Sequence, residues 1–410
     1  MKRIMVYSHD TFGLGNIRRM LTVAMHLVDA FPDASVLIVS GSPMLHAFRI
    51  PPRVDYLKLP CLSRTQAGDY AVKFLDMPFD ETVRLRSNLL VSAILDFEPD
   101  LIVVDKKPLG VGNELEHALE LLQRRGRQTR LALLLRDILD SPEATRAVWS
   151  KNGYFDAIDR YYDQVLVVGS EHVFDLAREY DFPASVRDKV RYCGYLKRER
   201  HSAARTLQDG PVTQAERLVL VTTGGGEDGH RLISAYADSL DAIAAAGSVH
   251  SVVVCGPEMS PVHRKQVSIR LEGRDDVTLL EFSDDMMGLM DAADLVVSMS
   301  GYNTVCELLS LRKRAILVPR VKPVAEQWIR AERLEQLGLM RALHPDRLTP
   351  ESLAAMVTQE LDLANVVRYP RTHLDMDGLD RICDSLGELL DTSAVRVAGA
   401  RATMIQGVRS

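Results

Sequence analysis

Three glycines in a row, Gly224, Gly225 and Gly226, stand in "VTTGGGEDGH" directly after the apolar run "RLVLV". Consecutive glycines are costly in conformational entropy, so we read them as backbone that approaches a ligand or adopts positive φ, and not as a packing device. The ordinary alternative is a flexible turn. A second loop, in "LVVSMSGYNTVCELLSL", runs from a buried-strand pattern through Ser298, Ser300 and Gly301 into a helical pattern. A chain that turns on Gly301 and enters a helix offers free N–H groups and neighbouring hydroxyls to a phosphate. The helix dipole adds about 0.5–1 kcal/mol for an anion there. The plainer reading is a Thr304-x-x-Glu307 capping box that serves only the helix. Neither loop has the lysine of a phosphate-binding NTPase loop or the G-x-G-x-x-G spacing of a dinucleotide site. These residues suit phosphate binding without ATP hydrolysis or hydride transfer.

A third stretch, "LVPRVKPVAEQWIRAERLEQLGL", predicts a helix with Pro323 in its first turn and Gly338 at its stop. Val324, Trp328, Ala331, Leu334 and Leu337 form the expected buried stripe, which leaves Glu326 and Gln327 exposed in the first turn. A carboxylate beside an amide offers acceptors and donors to sugar hydroxyls. By itself, a first-turn glutamate also simply complements the dipole. Near the amino terminus, "YSHDTFGLGNIRRM" is a glycine-containing loop feeding a helix. Arg18 and Arg19 put cations at the positive end of that helix, which points to an anion nearby. In "VDKKPLG", Lys106 and Lys107 follow a strand and suit an anionic acceptor or, more plainly, a solvated face.

The elements that hold these loops are legible from periodicity. Apolar runs "RIMVYS", "SVLIVS", "LIVVD", "RLALLLRD" and "QVLVVGS" alternate with helical patterns in the first half. After a charged stretch with Gly210–Pro211 the pattern restarts with "RLVLVTT", "SVVVCG", "VTLLEF", "LVVSMS" and "RAILVPR". Near-continuous apolar strands alternating with amphipathic helices predict parallel sheets covered on both faces. The expected organisation is a first lobe at 1–197, a linker at 198–214, a second lobe at 215–368, a closing helix at 369–392 and a poorly ordered basic tail at 393–410. Ligands of such sheets bind beyond the carboxyl ends of the strands. The stretch 61–83 lacks clear periodicity, as functional loops often do.

At 410 residues the chain is long enough for two cores, and its net charge of −6 argues against a nucleic-acid binder. Five scattered cysteines without a C-x-x-C pair fit free thiols in a reducing compartment rather than a disulfide framework or zinc site. The start "MKRIMVYSHD" reads as a first strand and not a signal peptide. No run reaches the ~20 apolar residues of a membrane span. The expectation is a cytoplasmic protein with at most peripheral membrane contact.

The segments "SGYNTVCELLSLRKRAILVPR" and "AEQWIRAERLEQLGL", with "TTGGG" upstream and "FSDDM" between, resemble the donor-binding half of GT-B glycosyltransferases. The nearest resemblance is to the family of the peptidoglycan lipid-intermediate N-acetylglucosaminyltransferase. "YSHDTFGLGNIRR" and "LLRDILDSP" resemble a bacterial group of predicted glycosyltransferases. The resemblance implies two Rossmann-like, open parallel-sheet lobes facing a cleft, the second binding a nucleotide-diphosphate sugar, a UDP-sugar foremost, and the first an acceptor. It implies that Gly224–Gly226, Ser300, Gly301, Asn303 and Thr304 face the diphosphate. Glu307 would hold the ribose, Phe282 and Ser283 would line the base pocket, and Glu326 and Gln327 would hold the sugar. Gly13, Gly15, Asn16 and Arg18 would form the acceptor loop. The acceptor is unidentified, with lipid-linked and polysaccharide acceptors in view. No cofactor or metal is implied, the nucleotide-sugar being a substrate; "DMD" at 375–377 spells a motif of another glycosyltransferase fold in the wrong region. The resembled families carry a histidine where this chain has Asn16, and an amide cannot accept a proton near neutral pH. His9 and Asp137, each following a strand, are the substitute candidates for a catalytic base, Asp137 acting either as base or by orienting His9. A loop hydrogen bond for His9 and an Arg136–Asp137 structural pair are the alternatives. Two rival functions remain: a UDP-sugar 2-epimerase-like isomerase, and a non-catalytic nucleotide-sugar-binding protein.

Overall fold

A computed structural model of the chain describes residues 1–9, 15–64, 70–126, 128–198, 217–363 and 374–391. Gly13, the linker residues from 199 to 214 and the tail from 393 therefore lie outside the described residues. The chain divides into two units, Met1–Tyr195 with Asp377–Ser410, and Leu196–Met376.

The first unit is built on nine strands: β1 (Lys2–Ser8), β2 (Ala34–Ser40), β3 (Val54–Lys58), β4 (Leu62–Arg64), β5 (Tyr70–Val72), β6 (Leu101–Asp105), β7 (Arg130–Arg136), β8 (Gln164–Val168) and β9 (Val190–Tyr192). Seven make one sheet in the order β3-β2-β1-β6-β7-β8-β9, and every pairing in it is parallel. Strands β4 and β5 form a separate antiparallel pair inside the stretch that lacked periodicity. Continuous apolar sequence explains the central strands: β6 and β8 are buried along their whole length, as a sheet covered on both faces demands. Helix 378–391 packs back on this unit, where Gly387 lies against the Phe31 ring and Asp380 contacts His26 at 2.8 Å.

The second unit has β10 (Arg217–Thr222), β11 (Val249–Val254), β12 (Val277–Leu280), β13 (Leu295–Ser298), β14 (Ala315–Leu317) and β15 (Arg341–Ala342). They form one parallel sheet in the order β12-β11-β10-β13-β14-β15. Period-two alternation splits each strand between two cores. Val219 and Val221 pack with helices His230–Ala246, Pro261–Leu271 and Pro350–Leu363. Leu218 and Leu220 pack with Met286–Ala292, Tyr302–Leu311 and Glu326–Gln336 on the opposite face. Each fully buried valine or leucine contributes roughly 1.5–3 kcal/mol relative to exposure. All five cysteines are free and buried. No described helix is long and apolar enough to cross a membrane.

Beneath the first sheet's carboxyl edge sits a polar anchor inside apolar surroundings. Glu114 accepts from the Tyr7 hydroxyl of β1 and from Arg86 of helix Phe79–Phe97, with Arg86 Nη2 to Glu114 Oε1 at 2.7 Å. The Arg86–Glu114 pair is wholly buried, so removing one partner strands the other charge out of water. Glu114→Ala should cost about 3–5 kcal/mol in urea unfolding of the first unit. A loss below about 1 kcal/mol would show that water or another group takes the place of the carboxylate.

Candidate functional site

Parallel pairing decides which residues emerge together. In the first unit β1 and β6 are neighbours at the point where sheet order reverses, and Tyr7 of β1 pairs with Val104 of β6. Just beyond, His9, two residues after Tyr7, and Asp105, directly after Val104, leave the sheet side by side. His9 Nδ1 lies 3.2 Å from the Asp105 carbonyl oxygen and 3.4 Å from its Oδ2. Arg19, on the second turn of helix Gly15–Ala30, donates from Nη2 to Asp105 Oδ1 at 2.5 Å and to Asn16 Oδ1 at 3.4 Å. His9, Asp105 and Arg19 are all buried.

The electrostatics of this group are set by who is desolvated and who is paired. Burial would raise the Asp105 carboxyl, but the Arg19 guanidinium and the His9 ring outweigh it and hold Asp105 well below the usual carboxylate range. Burial lowers His9, assisted by Lys106 and Lys107 and opposed by Asp105, so the ring is held below its ordinary value. A carbonyl and an ionised carboxylate only accept. The neutral ring therefore carries its proton on Nδ1 and keeps the lone pair on Nε2, the form a general base needs.

Other first-unit residues fall in different settings. Asp137 follows β7 at the same sheet edge and is buried; its Oδ1 accepts from the Ile138 N–H at 2.8 Å and its Oδ2 from the Tyr195 hydroxyl at 3.3 Å. Thus Asp105, not Asp137, is the carboxylate that touches His9. Gly15 begins the first helix, and Arg18 is exposed on it while its carbonyl accepts from Thr22. The anion that balances Arg19 is Asp105, inside the protein. Lys107 Nζ stacks over the Tyr70 ring at 4.4 Å.

In the second unit Thr222 at the end of β10 pairs with Ser298 at the end of β13, again at the reversal of strand order. The glycine loop and the Ser300–Gly301 turn consequently leave the sheet next to each other. Gly224 and Gly226 hold φ of +68° and +95°. Thr304 Oγ1 lies 3.7 Å from where a Gly224 Cβ would be, and a Cβ on Gly226 would meet the Cys255 carbonyl at 2.4 Å. Gly226 is therefore required by close packing between loops, a purpose the sequence reading had set aside for this run. The Glu258 N–H donates to the Gly225 carbonyl at 2.7 Å, and the Gly256 N–H to the Glu281 carbonyl at 3.0 Å. The loops after β10, β11 and β12 are thereby laced into one row. Phe282, 59% exposed, and Ser283, whose Oγ accepts from the Asp285 N–H at 3.2 Å, stand at its far end.

Helix Tyr302–Leu311 takes Gly301 as its N-cap with no side-chain cap, and Thr304 is already inside it. This rules out the Thr304–Glu307 capping box. No atom lies within 4 Å of a Cβ built on Gly301, so the first turn has open space before it. Asn303 Oδ1 accepts from Arg198 Nη2 at 3.2 Å, and Glu307 is buried on the second turn. Glu326 and Gln327 are not exposed as expected but 4% and 7% accessible. The helix starts at Glu326, after Pro323, and its first turn is pressed against the β13 turn. There Ser300 Oγ donates to the Gln327 carbonyl at 2.5 Å, Gln327 Oε1 accepts from the Arg320 N–H at 3.3 Å, and fully buried Arg330 donates to the Ser300 carbonyl at 2.8 Å. Asp105, Arg320 and Arg330 escaped the sequence reading. For the first two a signal existed, a charged residue closing an apolar strand run. Among the described residues no group of three or more His, Cys, Asp or Glu side chains is placed to hold a metal ion.

Comparison with known proteins bears on this geometry. Residues 218–373 match the glycosyltransferase family 28 C-terminal domain. The chain is similar to two UDP-N-acetylglucosamine–N-acetylmuramyl-(pentapeptide) pyrophosphoryl-undecaprenol N-acetylglucosamine transferases. With that of Geobacillus kaustophilus it is 26% identical over 217 residues, 50% of this chain and 56% of the relative. With that of Geobacillus thermodenitrificans it is 27% identical over 175 residues, 42% of this chain and 47% of the relative. The chain thus spans about half the length of these relatives. Among solved structures, MurG of Acinetobacter baumannii superposes with a TM-score of 0.59 at 16% identity, over 95% of this chain and 100% of that one. The kitacinnamycin glycotransferase gives 0.60 at 15%, over 95% and 99%. A candidate UDP-N-acetylglucosamine 2-epimerase from Listeria monocytogenes gives 0.59 at 14%, over 96% and 98%. The two parallel-sheet units are those of the GT-B fold, and at these identities the likeness is one of fold.

The His9 environment makes a direct prediction. Because the folded ring binds its proton more weakly than the unfolded one, the contribution of His9 to stability is complete above about pH 6.5 and is lost as pH falls below it. Nitrogen-15 NMR of the imidazoles should show His9 as the Nδ1–H tautomer with a titration midpoint below 6.5. A midpoint at or above that value would remove the neutral base.

Proposed function

We propose that this protein is a glycosyltransferase that moves a sugar from a UDP-sugar to an acceptor hydroxyl. The observation that carries this reading is the emergence of the glycine loop and the Ser300–Gly301 turn side by side at the strand-order reversal of the second sheet, within the stretch matched to the family 28 domain. In this reading the amides of Gly224–Gly226 and the first turn of helix Tyr302–Leu311, with Asn303 and Thr304, hold the donor diphosphate. Glu307 takes the ribose, Phe282 and Ser283 the base, and Glu326 with Gln327 the sugar.

The acceptor belongs to the first unit, at the loop of Gly13, Gly15, Asn16 and Arg18. His9 Nε2 takes the acceptor proton as the acceptor oxygen bonds to the anomeric carbon and the carbon–oxygen bond to the diphosphate breaks. Asp105 then stabilises the imidazolium that forms, since its negative charge favours protonated His9. The electron pair of the broken bond leaves on the diphosphate, where oriented amides stabilise it. We assign the proton transfer to His9 rather than Asp137, both of whose oxygens already accept hydrogen bonds. Asn16 serves Arg19 in this scheme and carries no proton. No metal or cofactor enters it. The acceptor class is a lipid-linked or polysaccharide hydroxyl.

Thermal melts with a panel of nucleotides and UDP-sugars should single out one donor, stabilising by ~2.7 kcal/mol at a hundredfold excess over its dissociation constant. If no nucleoside diphosphate or its sugar shifts the transition, the donor site is misassigned. Donor incubated alone should return unchanged; an epimerised sugar would identify an isomerase instead. With the acceptor found, His9→Gln should lower kcat by roughly 10²- to 10⁴-fold and leave donor affinity intact. The acid limb of kcat/KM, placed below pH 6.5 in the native protein, should vanish in that variant.

A further inference from the structure

A diphosphate leaves with more negative charge than it carries in the donor, and something must meet that charge. The glycine loop, the Ser300–Gly301 turn and Thr304 are neutral. Around them stand carboxylates: Asp228 on the glycine loop, Glu258 with its Oε2 2.7 Å from a Gly225 Cβ position, and the buried Glu307 and Glu326. Among such carboxylates, a cation held in a replaceable pair is the group suited to meet the leaving charge.

Arg320 follows β14, and its Nη1 lies 2.9 Å from Oδ2 of Asp228, on the loop after β10. In the sheet β13 lies between β10 and β14, so this ion pair reaches across the carboxyl end of β13, where the Ser300–Gly301 turn leaves. The Arg320 backbone is fixed by Gln327 Oε1, and its Nε is buried without a hydrogen-bond partner. With side chains 30% and 38% exposed, the pair is weakly held, so an entering anion displaces Asp228 at little cost. Two other arginines border these loops and are differently employed. Arg330 is fully buried and braces the Ser300 carbonyl, and Arg198 binds Asn303 and, through its N–H, Ser310 Oγ. Arg320 is paired with a partly exposed carboxylate that another anion can replace.

We infer that Arg320 is the cation that meets the donor diphosphate, held on Asp228 until the donor enters. The inference rests on the donor-site reading above. In the ligand-free protein the Arg320–Asp228 pair bridges the site, and on binding the guanidinium passes from one anion to another with no bond made or broken.

The test is calorimetric titration of the full chain with UDP and with uridine, in the native protein and in Arg320→Ala, Arg320→Lys and Asp228→Asn. Native protein should bind UDP, and Arg320→Ala should weaken UDP roughly 10- to 100-fold, the strength of a charge-assisted contact, while leaving uridine unchanged. Arg320→Lys should recover part of the loss. Asp228→Asn should tighten UDP, by up to about 5-fold, because the competing carboxylate is gone. This opposite sign separates ligand contact from a structural brace, since a brace is weakened equally from either end. Native UDP affinity unaltered in Arg320→Ala, or UDP weakened alike in Arg320→Ala and Asp228→Asn, overturns the inference. Failure of the native protein to bind UDP overturns the donor-site reading itself and this inference with it.

Discussion

Two parallel strands that part company determine where chemistry is available in each unit. In the second sheet the chain runs outward from β10 through β11 to β12, then resumes on the other side of β10 with β13, β14 and β15. The crossovers on the two sides cover opposite faces, so the loops after β10 and β13 diverge as they leave a common edge. The crevice between them cannot be filled by either crossover. Everything distinctive about the loops follows: Gly224 at positive φ, open space before Gly301, and Thr304 facing Gly224 across it. The first sheet repeats the arrangement at β1 and β6, and there the crevice is occupied by side chains, His9, Asp105 and Arg19.

The two crevices handle charge by opposite means. In the first unit a buried carboxylate and guanidinium neutralise each other, and a neutral imidazole is held against the pair. Such a pair is stabilising only while complete, because either charge alone is expensive out of water. Its benefit is orientation: Asp105 fixes which His9 nitrogen keeps a proton. In the second unit the edge presents backbone amides, whose partial charges need no desolvated counterion and suit an anion that comes and goes. Full charges there are either sealed beneath the turn, as Arg330 is, or left half-exposed in a replaceable pair, as Arg320 and Asp228 are. A resident group and a transient one call for different electrostatics.

Most of the framework was legible because parallel sheets write themselves plainly into sequence. "LIVV" in β6 and "LVLV" in β10 are apolar without a break, as strands buried on both faces are. Strands β9 and β15 were missed because three and two residues carry no period, and β3 because "VDYLK" is an edge strand of mixed polarity, mostly not buried. The β4–β5 hairpin is too short to alternate convincingly. The candidate site was legible where glycine marks a turn and illegible where a polar residue is buried. Glu326, Gln327 and Arg330 lie on one helix face with Ala331 and Leu334. A periodicity reading turns such residues outward because they are polar. Arg330 faces inward because the Ser300 carbonyl accepts from it, and the Gln327 side chain because it accepts from the Arg320 N–H. Asp105 hid for the same reason, its partner Arg19 being remote in sequence.

Asn16 becomes intelligible through that partnership. A histidine at the start of a helix is kept neutral by the positive end of the dipole, which disfavours a second positive charge. This chain places an amide there, and the amide accepts from Arg19. The guanidinium that would otherwise oppose the dipole is neutralised by Asp105. The imidazole of the first unit's crevice stands instead at the end of β1, where burial lowers its affinity for a proton. There Nδ1 is held between a carbonyl and a carboxylate of the neighbouring strand, so the orientation of the ring is tied to sheet register rather than to the loop that follows.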